Sequence, residues 1–172
     1  MANTISAGLL LLRLVAGLTI AAHGAQKAFG WFGGPGFTKM AAGLGKQGLK
    51  PGWLWTGFAI LGELGGGLSL AFGLLTPLGA AGVTGAMLMA ILKSHWRNGF
   101  FNAKRGIEFP LQILAAALAL GVTGAGAYSL DALASIHLPL AVFPILAAAA
   151  VLTVIIGVSL SSGVGPVAPR QS

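Results

Sequence analysis

Eight polar side chains interrupt otherwise apolar stretches of this sequence: Arg13, His23, Gln26, Lys27, Glu63, His95, Glu108 and Gln112. A charge within an apolar membrane segment is costly and turns toward a bundle interior or a cavity, so each is a functional candidate. His23 and Lys27 are four residues apart and share one face of a helix. At about 1.5 Å per helical residue, His23 falls near the end of the first apolar run and Glu63 near the middle of the second. His95 and Glu108 fall at the same end as His23. Two imidazoles near one depth can hold a quinone carbonyl, exchange protons or ligate a haem. Quinone and proton work rank above haem, because no spacing specifies a haem pocket. No metal is expected, since no third nitrogen or oxygen ligand has a recognisable spacing. The candidate catalytic set is therefore His23, Glu63, His95 and Glu108. Glu63 has a second reading, an ion pair with Arg13, compatible with the first because an unpaired buried carboxylate takes up a proton and can relay it. Lys27 is expected to snorkel to the interface. His137, at the opposite side, is given no role.

The elements that position these residues follow from composition. Hydrophobic residues make up 56% of the 172 and charged ones 8%, against roughly 25% charged in soluble domains, which excludes a water-soluble fold. Ten Lys and Arg face three Asp and Glu, but they lie between apolar segments rather than as a patch on a soluble face. No nucleic-acid partner is expected, and anchoring to anionic lipid headgroups is. The chain has no cysteine, which excludes disulfide exchange, iron–sulfur clusters and thiolate sites as its own chemistry. The N-terminus lacks a basic n-region and its apolar run exceeds a signal-peptide core, so a retained first span is expected.

A spanning helix needs about 20 mostly apolar residues. Such stretches run from Ile5 to Phe29, Trp53 to Leu75, Leu78 to Trp96, Phe109 to Ala127 and Leu138 to Leu160. Helix-length continuity without period-two alternation argues against a barrel. The expected fold is all-α, a polytopic membrane helical bundle. Small residues recur at Gly17/Ala21/Ala25, Gly62/Gly66, Gly82/Ala86/Ala90 and Ala115/Ala119, spacings that let backbones approach closely. The connection at Thr76 and Pro77 is so short that the second and third spans must be antiparallel neighbours. In the first connection, Gly33-Gly34-Pro35-Gly36 forms a turn. Beyond it Phe37, Met40, Leu44 and Gly48 share one helical face and Lys39, Lys46 and Lys50 another, as in an interfacial helix. Trp31, Trp53, Trp55 and Trp96 lie near span ends, where an aromatic belt puts them. Lys27, Lys39, Lys46 and Lys50, Lys93, Arg97, Lys104 and Arg105, and Arg170 of the tail all fall on one side. The positive-inside rule then predicts an outer N-terminus and a cytoplasmic C-terminus.

The residues resemble the DoxX family of small bacterial membrane proteins. The resemblance is carried by the run from His23-Gly24-Ala25-Gln26-Lys27-Ala28-Phe29-Gly30 through Trp31-Phe32-Gly33-Gly34-Pro35-Gly36, by Glu63 with Gly65-Gly66-Gly67, and by His95 with Asn98-Gly99-Phe100-Phe101. Glu108 and Gly126-Ala127-Tyr128-Ser129-Leu130-Asp131 complete it. It covers roughly residues 5 to 135. It implies a four-helix membrane core, taken as residues 1–135, in the bacterial inner membrane, with residues 136–172 as an added fifth transmembrane helix and tail. It also implies a link to quinone oxidation, with quinone as the cofactor and Gln26 and Asn98 joining His23 and His95 as cofactor contacts. The family's usual charge pattern would put the first and third loops outside; this chain has the opposite pattern.

Three functions follow as expectations. The first is a quinone-interacting redox subunit in which His23, Glu63, His95 and Glu108 handle protons and a partner provides electrons. The second is a non-catalytic accessory subunit of a larger membrane complex or a homo-oligomer, motivated by the small size, the small-residue faces and the added helix. The third is a small-solute or proton transporter, disfavoured by the lack of an obvious inverted repeat.

Overall fold

In lipid every backbone N–H and C=O must be satisfied within the segment, and an apolar run without interior proline meets that demand as a helix. The computed structural model describes residues 2–139 and 141–161, all of them helix, turn or loop; Arg170 lies outside the described residues. Helix α1 is Ala2–Phe29, α2 is Gly36–Lys46, α3 is Gly52–Phe72, α4 is Thr76–Asn98, α5 is Glu108–Thr123, the single turn α6 is Leu130–Leu133, and α7 is Val142–Ser161. Proline marks the starts, with Pro35 and Pro51 just before α2 and α3 and Pro77, Pro110 and Pro144 in the first turns of α4, α5 and α7. Left-handed or otherwise positive-φ glycines mark the ends, at Gly30, Gly73 and Gly124. This is the usual division of labour between a fixed φ and a missing Cβ.

Among the described residues, four helices are long and apolar enough to cross a membrane: α1, α3, α4 and α7. The expected span from Phe109 to Ala127 is shorter than read, a 16-residue α5 of about 24 Å. Gly124 and Gly126, both at positive φ, stop the helix within a stretch that hydropathy reads as continuous. α5 is nonetheless core, with Ile113, Leu114, Ala117 and Leu120 buried. The five long helices alternate in direction. α4 is the hub, packed against α3, α5 and α7, while α1 covers α3 and α5.

The α1–α3 contact is backbone on backbone. A Cβ at Gly17 would lie 2.6 Å from the Ala71 nitrogen, and one at Gly67 2.6 Å from the Ala21 nitrogen. Gly62 and Gly66 perform the same service toward α4, where added Cβ atoms would meet the carbonyls of Gly82 and Gly79. Ala115 and Ala119 make no such interface: both are exposed, and the small residues that α5 buries are Ala117 and Gly121, the latter against Phe143. Trp31, Trp53 and Trp96 are exposed near the basic end, whereas Trp55 is buried with Leu44 and Leu49, under α2. Trp55 therefore belongs to the core and not to the belt.

At the end away from the lysines, Asp131 accepts hydrogen bonds from the backbone N–H of Leu75 (2.7 Å) and Thr76 (3.1 Å) and from the Thr76 hydroxyl (3.0 Å). The short helix α6, 55 residues downstream, thus caps the start of α4. Arg13, 1% exposed, donates from Nη2 to the Tyr128 carbonyl of the loop leading into α6, in space that exists because Gly73 has no side chain. Arg13 is fixed here and does not pair with Glu63.

Two stability predictions follow from these contacts. Gly17→Val should destabilise the bundle by about 2 kcal/mol through overpacking, whereas Gly8→Ala, in open space, should not, as read by thermal unfolding in detergent. Asp131→Ala removes the cap and should cost about 1–2 kcal/mol in the same measurement.

Candidate functional site

The basic ends of α1, α3 and α4 meet α2 at a cavity of about 510 Å³, most of it walled by apolar side chains such as Leu44, Trp55, Met89 and Leu146. Its charged lining consists of Lys27, Glu63 and His95. Lys27 of α1 forms a salt bridge to the Glu63 carboxylate of α3. Glu63 is 3% exposed, so the ammonium is its compensation for leaving water. Lys27 does not snorkel freely but turns inward. The signal for that pairing is absent from the spacing, because the partners are 36 residues apart on different helices.

Helix α3 carries a π-helical turn at Leu61–Gly65 and α4 carries another at Ile91–His95. Each extra residue widens the helix and shifts the register of side chains around it, a device concentrated at functional sites. Here the two π turns hold Glu63, Ser94 and His95, so the polar groups of the α3 and α4 walls sit on the locally widened backbone. His95 is half-buried, and its Nδ1 lies 2.7 Å from the Arg105 carbonyl. A carbonyl can only accept, so Nδ1 carries the hydrogen and Nε2 is the nitrogen free to gain or release a proton.

The other expected site residues lie outside the cavity lining. His23 is half-buried on α1 with its ring 5.0 Å from that of Phe109, a packing contact with the start of α5. Gln26 donates weakly to the Phe32 carbonyl at 3.4 Å. Asn98 donates to the carbonyls of Ser94 and Arg105 at 3.2 and 3.1 Å. Glu108 accepts from the Asn102 N–H at 2.8 Å. Asn98 and Glu108 thereby shape the loop between α4 and α5, the same loop whose Arg105 carbonyl orients His95. Gln112 is exposed. Of the expected set, Glu63 and His95 come together on one cavity, and Lys27 joins them.

The last helix also contributes. Leu146, Ala150, Thr153 and Val154 of α7 close one side of the cavity, and Lys93 donates to the Ser161 hydroxyl at 2.8 Å, tying the far end of α7 to α4. Eight of the basic side chains among the described residues (Lys27, Lys39, Lys46, Lys50, Lys93, Arg97, Lys104 and Arg105) thus belong to the end where the cavity lies.

The sequence model of the DoxX family matches residues 8–96, a stretch that contains Lys27, Glu63 and His95. No curated protein and no solved structure matches the chain.

The ion pair makes a prediction by its burial. Lys27→Met, which leaves the carboxylate unpaired, should destabilise the protein by about 3 kcal/mol, and adding Glu63→Met should recover most of that loss. Thermal unfolding of the single and double variants measures both effects.

Proposed function

The chain belongs to the DoxX family, and from that premise we propose that it is a quinone-binding subunit of a membrane redox assembly, with the cavity at the basic end as its quinone site. The observation that carries this reading is that Lys27, Glu63 and His95 line one largely apolar space of about 510 Å³. Ligand sites span roughly 300–1,000 Å³, with apolar walls and a few convergent polar groups that fix orientation. A ring with two oxygens and an apolar body fits that division. The Lys27 ammonium is a donor to one ring oxygen. Glu63 and Nε2 of His95 are the groups able to hold or release a proton beside it. Apolar walls, Trp55 among them, exclude water and strengthen these contacts.

When bound, a quinone supplies the two-electron couple that this cysteine-free chain lacks. Electrons then enter from a partner, and the chain's residues bind, orient and manage protons. Under the positive-inside rule the cavity end faces the cytoplasm of a bacterial inner membrane, with the N-terminus outside.

Equilibrium binding of a short-chain benzoquinone to the full chain in nanodiscs tests the reading. Glu63→Gln and His95→Ala should each weaken binding by about tenfold, the size of losing one charge-assisted hydrogen bond. His23→Ala, outside the cavity, should change it by less than about twofold. Unchanged binding in both Glu63→Gln and His95→Ala would overturn the assignment.

A further inference from the structure

A second space of about 530 Å³ lies between α3 and α4 on the outer face of the bundle. Leu61, Leu78 and Gly82 line both this groove and the cavity that holds the ion pair, so the two adjoin. From Leu61 the groove follows α3 as far as Phe72, about 16 Å along the axis, away from the basic end. We infer that this groove holds the apolar tail of the ligand whose polar ring occupies the cavity, so that the protein selects a tailed, lipid-like quinone that enters sideways from the bilayer. The inference rests on the quinone reading of the cavity.

Three observations argue for a tail. The first is polarity. Among the groove's lining residues the only polar side chain is Ser69, whose hydroxyl donates to the Leu74 carbonyl at 2.5 Å. Nothing there asks for a polar ligand, whereas Lys27, Glu63 and His95 line the adjoining cavity. The second is openness to the membrane. Leu61, Leu68, Phe72 and Leu78, on the rim, are 69%, 38%, 55% and 45% exposed, and on spanning helices such surface meets lipid chains. The third is depth made by glycine. Gly79 and Gly82 floor the groove beside Gly65 and Gly66, and an added Cβ at Gly65 would meet nothing within 4 Å. Position 65 therefore opens onto free space, and α3 and α4 do not need glycine there to touch. The direction agrees too. A ring near the basic interface with its tail running into the hydrocarbon layer is how an amphipath already lies in a bilayer.

Gly65 has ordinary helical backbone angles, φ −64 and ψ −50, so a larger residue can replace it without backbone strain and fill the groove. The probes are one benzoquinone ring carrying either a methyl group or a decyl chain, bound to the full chain in nanodiscs and corrected for partitioning into protein-free nanodiscs. The wild-type protein should prefer the decyl probe. Gly65→Phe should weaken the decyl probe by about tenfold, equivalent to roughly two buried methylenes, and leave the methyl probe within about twofold. Gly65→Ala, a smaller plug, should fall between and guards against misfolding of the larger variant. If the methyl probe binds wild type but Gly65→Phe leaves the decyl preference intact, or weakens both probes equally, the tail groove is wrong while the ring site stands. If neither probe binds wild type, the ring site itself is wrong and this inference falls with it. A shift in oligomeric state of Gly65→Phe with an unchanged probe ratio would assign the groove to a second copy of the chain instead.

Discussion

The approach of α1 to α3 at Gly17 and Gly67 sets where everything else at the basic end can be. With no Cβ on either side, the two backbones touch through Ala21, Ala71 and the Gly17 carbonyl. The same crossing brings Gly24 onto Leu64. Lys27 lies one turn beyond Gly24 and Glu63 immediately precedes Leu64, so the ion pair is a geometric consequence of the crossing. Lipid offers no hydrophobic drive for helices to associate, and van der Waals packing between small residues takes its place. A bulkier residue at the crossing would separate the helices and leave a carboxylate that is 3% exposed without its counter-charge.

The two π turns, at Leu61–Gly65 of α3 and Ile91–His95 of α4, shift side chains out of the register of a regular helix, and residues of both turns line the cavity. The backbone still closes its hydrogen bonds within each helix, as the bilayer requires. The loop between α4 and α5 serves the same site indirectly. Asn98 and His95 both address the Arg105 carbonyl, and Glu108 holds the Asn102 N–H, so the imidazole orientation depends on residues that never line the cavity.

At the opposite end the charged side chains brace the fold. Asp131 caps α4, Arg13 binds the Tyr128 carbonyl, and the Ser6 hydroxyl accepts from the Ala127 N–H at 3.2 Å. Together they fasten the long connection between α5 and α7 onto the starts of α1 and α4.

The membrane character, the helical class, the approximate spans, the amphipathic α2 and the gathering of lysines at one end were all legible in the sequence. Each is a local property, carried by hydropathy or charge within one window of chain. The candidate site was legible only in part. Glu63 and His95 stood out as polar groups in apolar surroundings, and the same rule also marked His23, Gln26 and Glu108, which, like the Asn98 that the family resemblance supplied, lie outside the cavity lining. That rule measures depth along a helix and says nothing of rotation about its axis. Rotation is set by which small residues meet across an interface and by where π turns shift the register; spacing marked Gly17, Gly62, Gly66 and Gly82 as close-approach positions but not which of them meet, and it gave no sign of the π turns. For that reason Lys27 read as a surface anchor until α1 and α3 were seen together, and Arg13 read as a partner for Glu63 although the loop around Tyr128 holds it. Hydropathy also could not see that Gly124 ends α5 early, because a glycine's backbone angle is decided by the chain that folds around it.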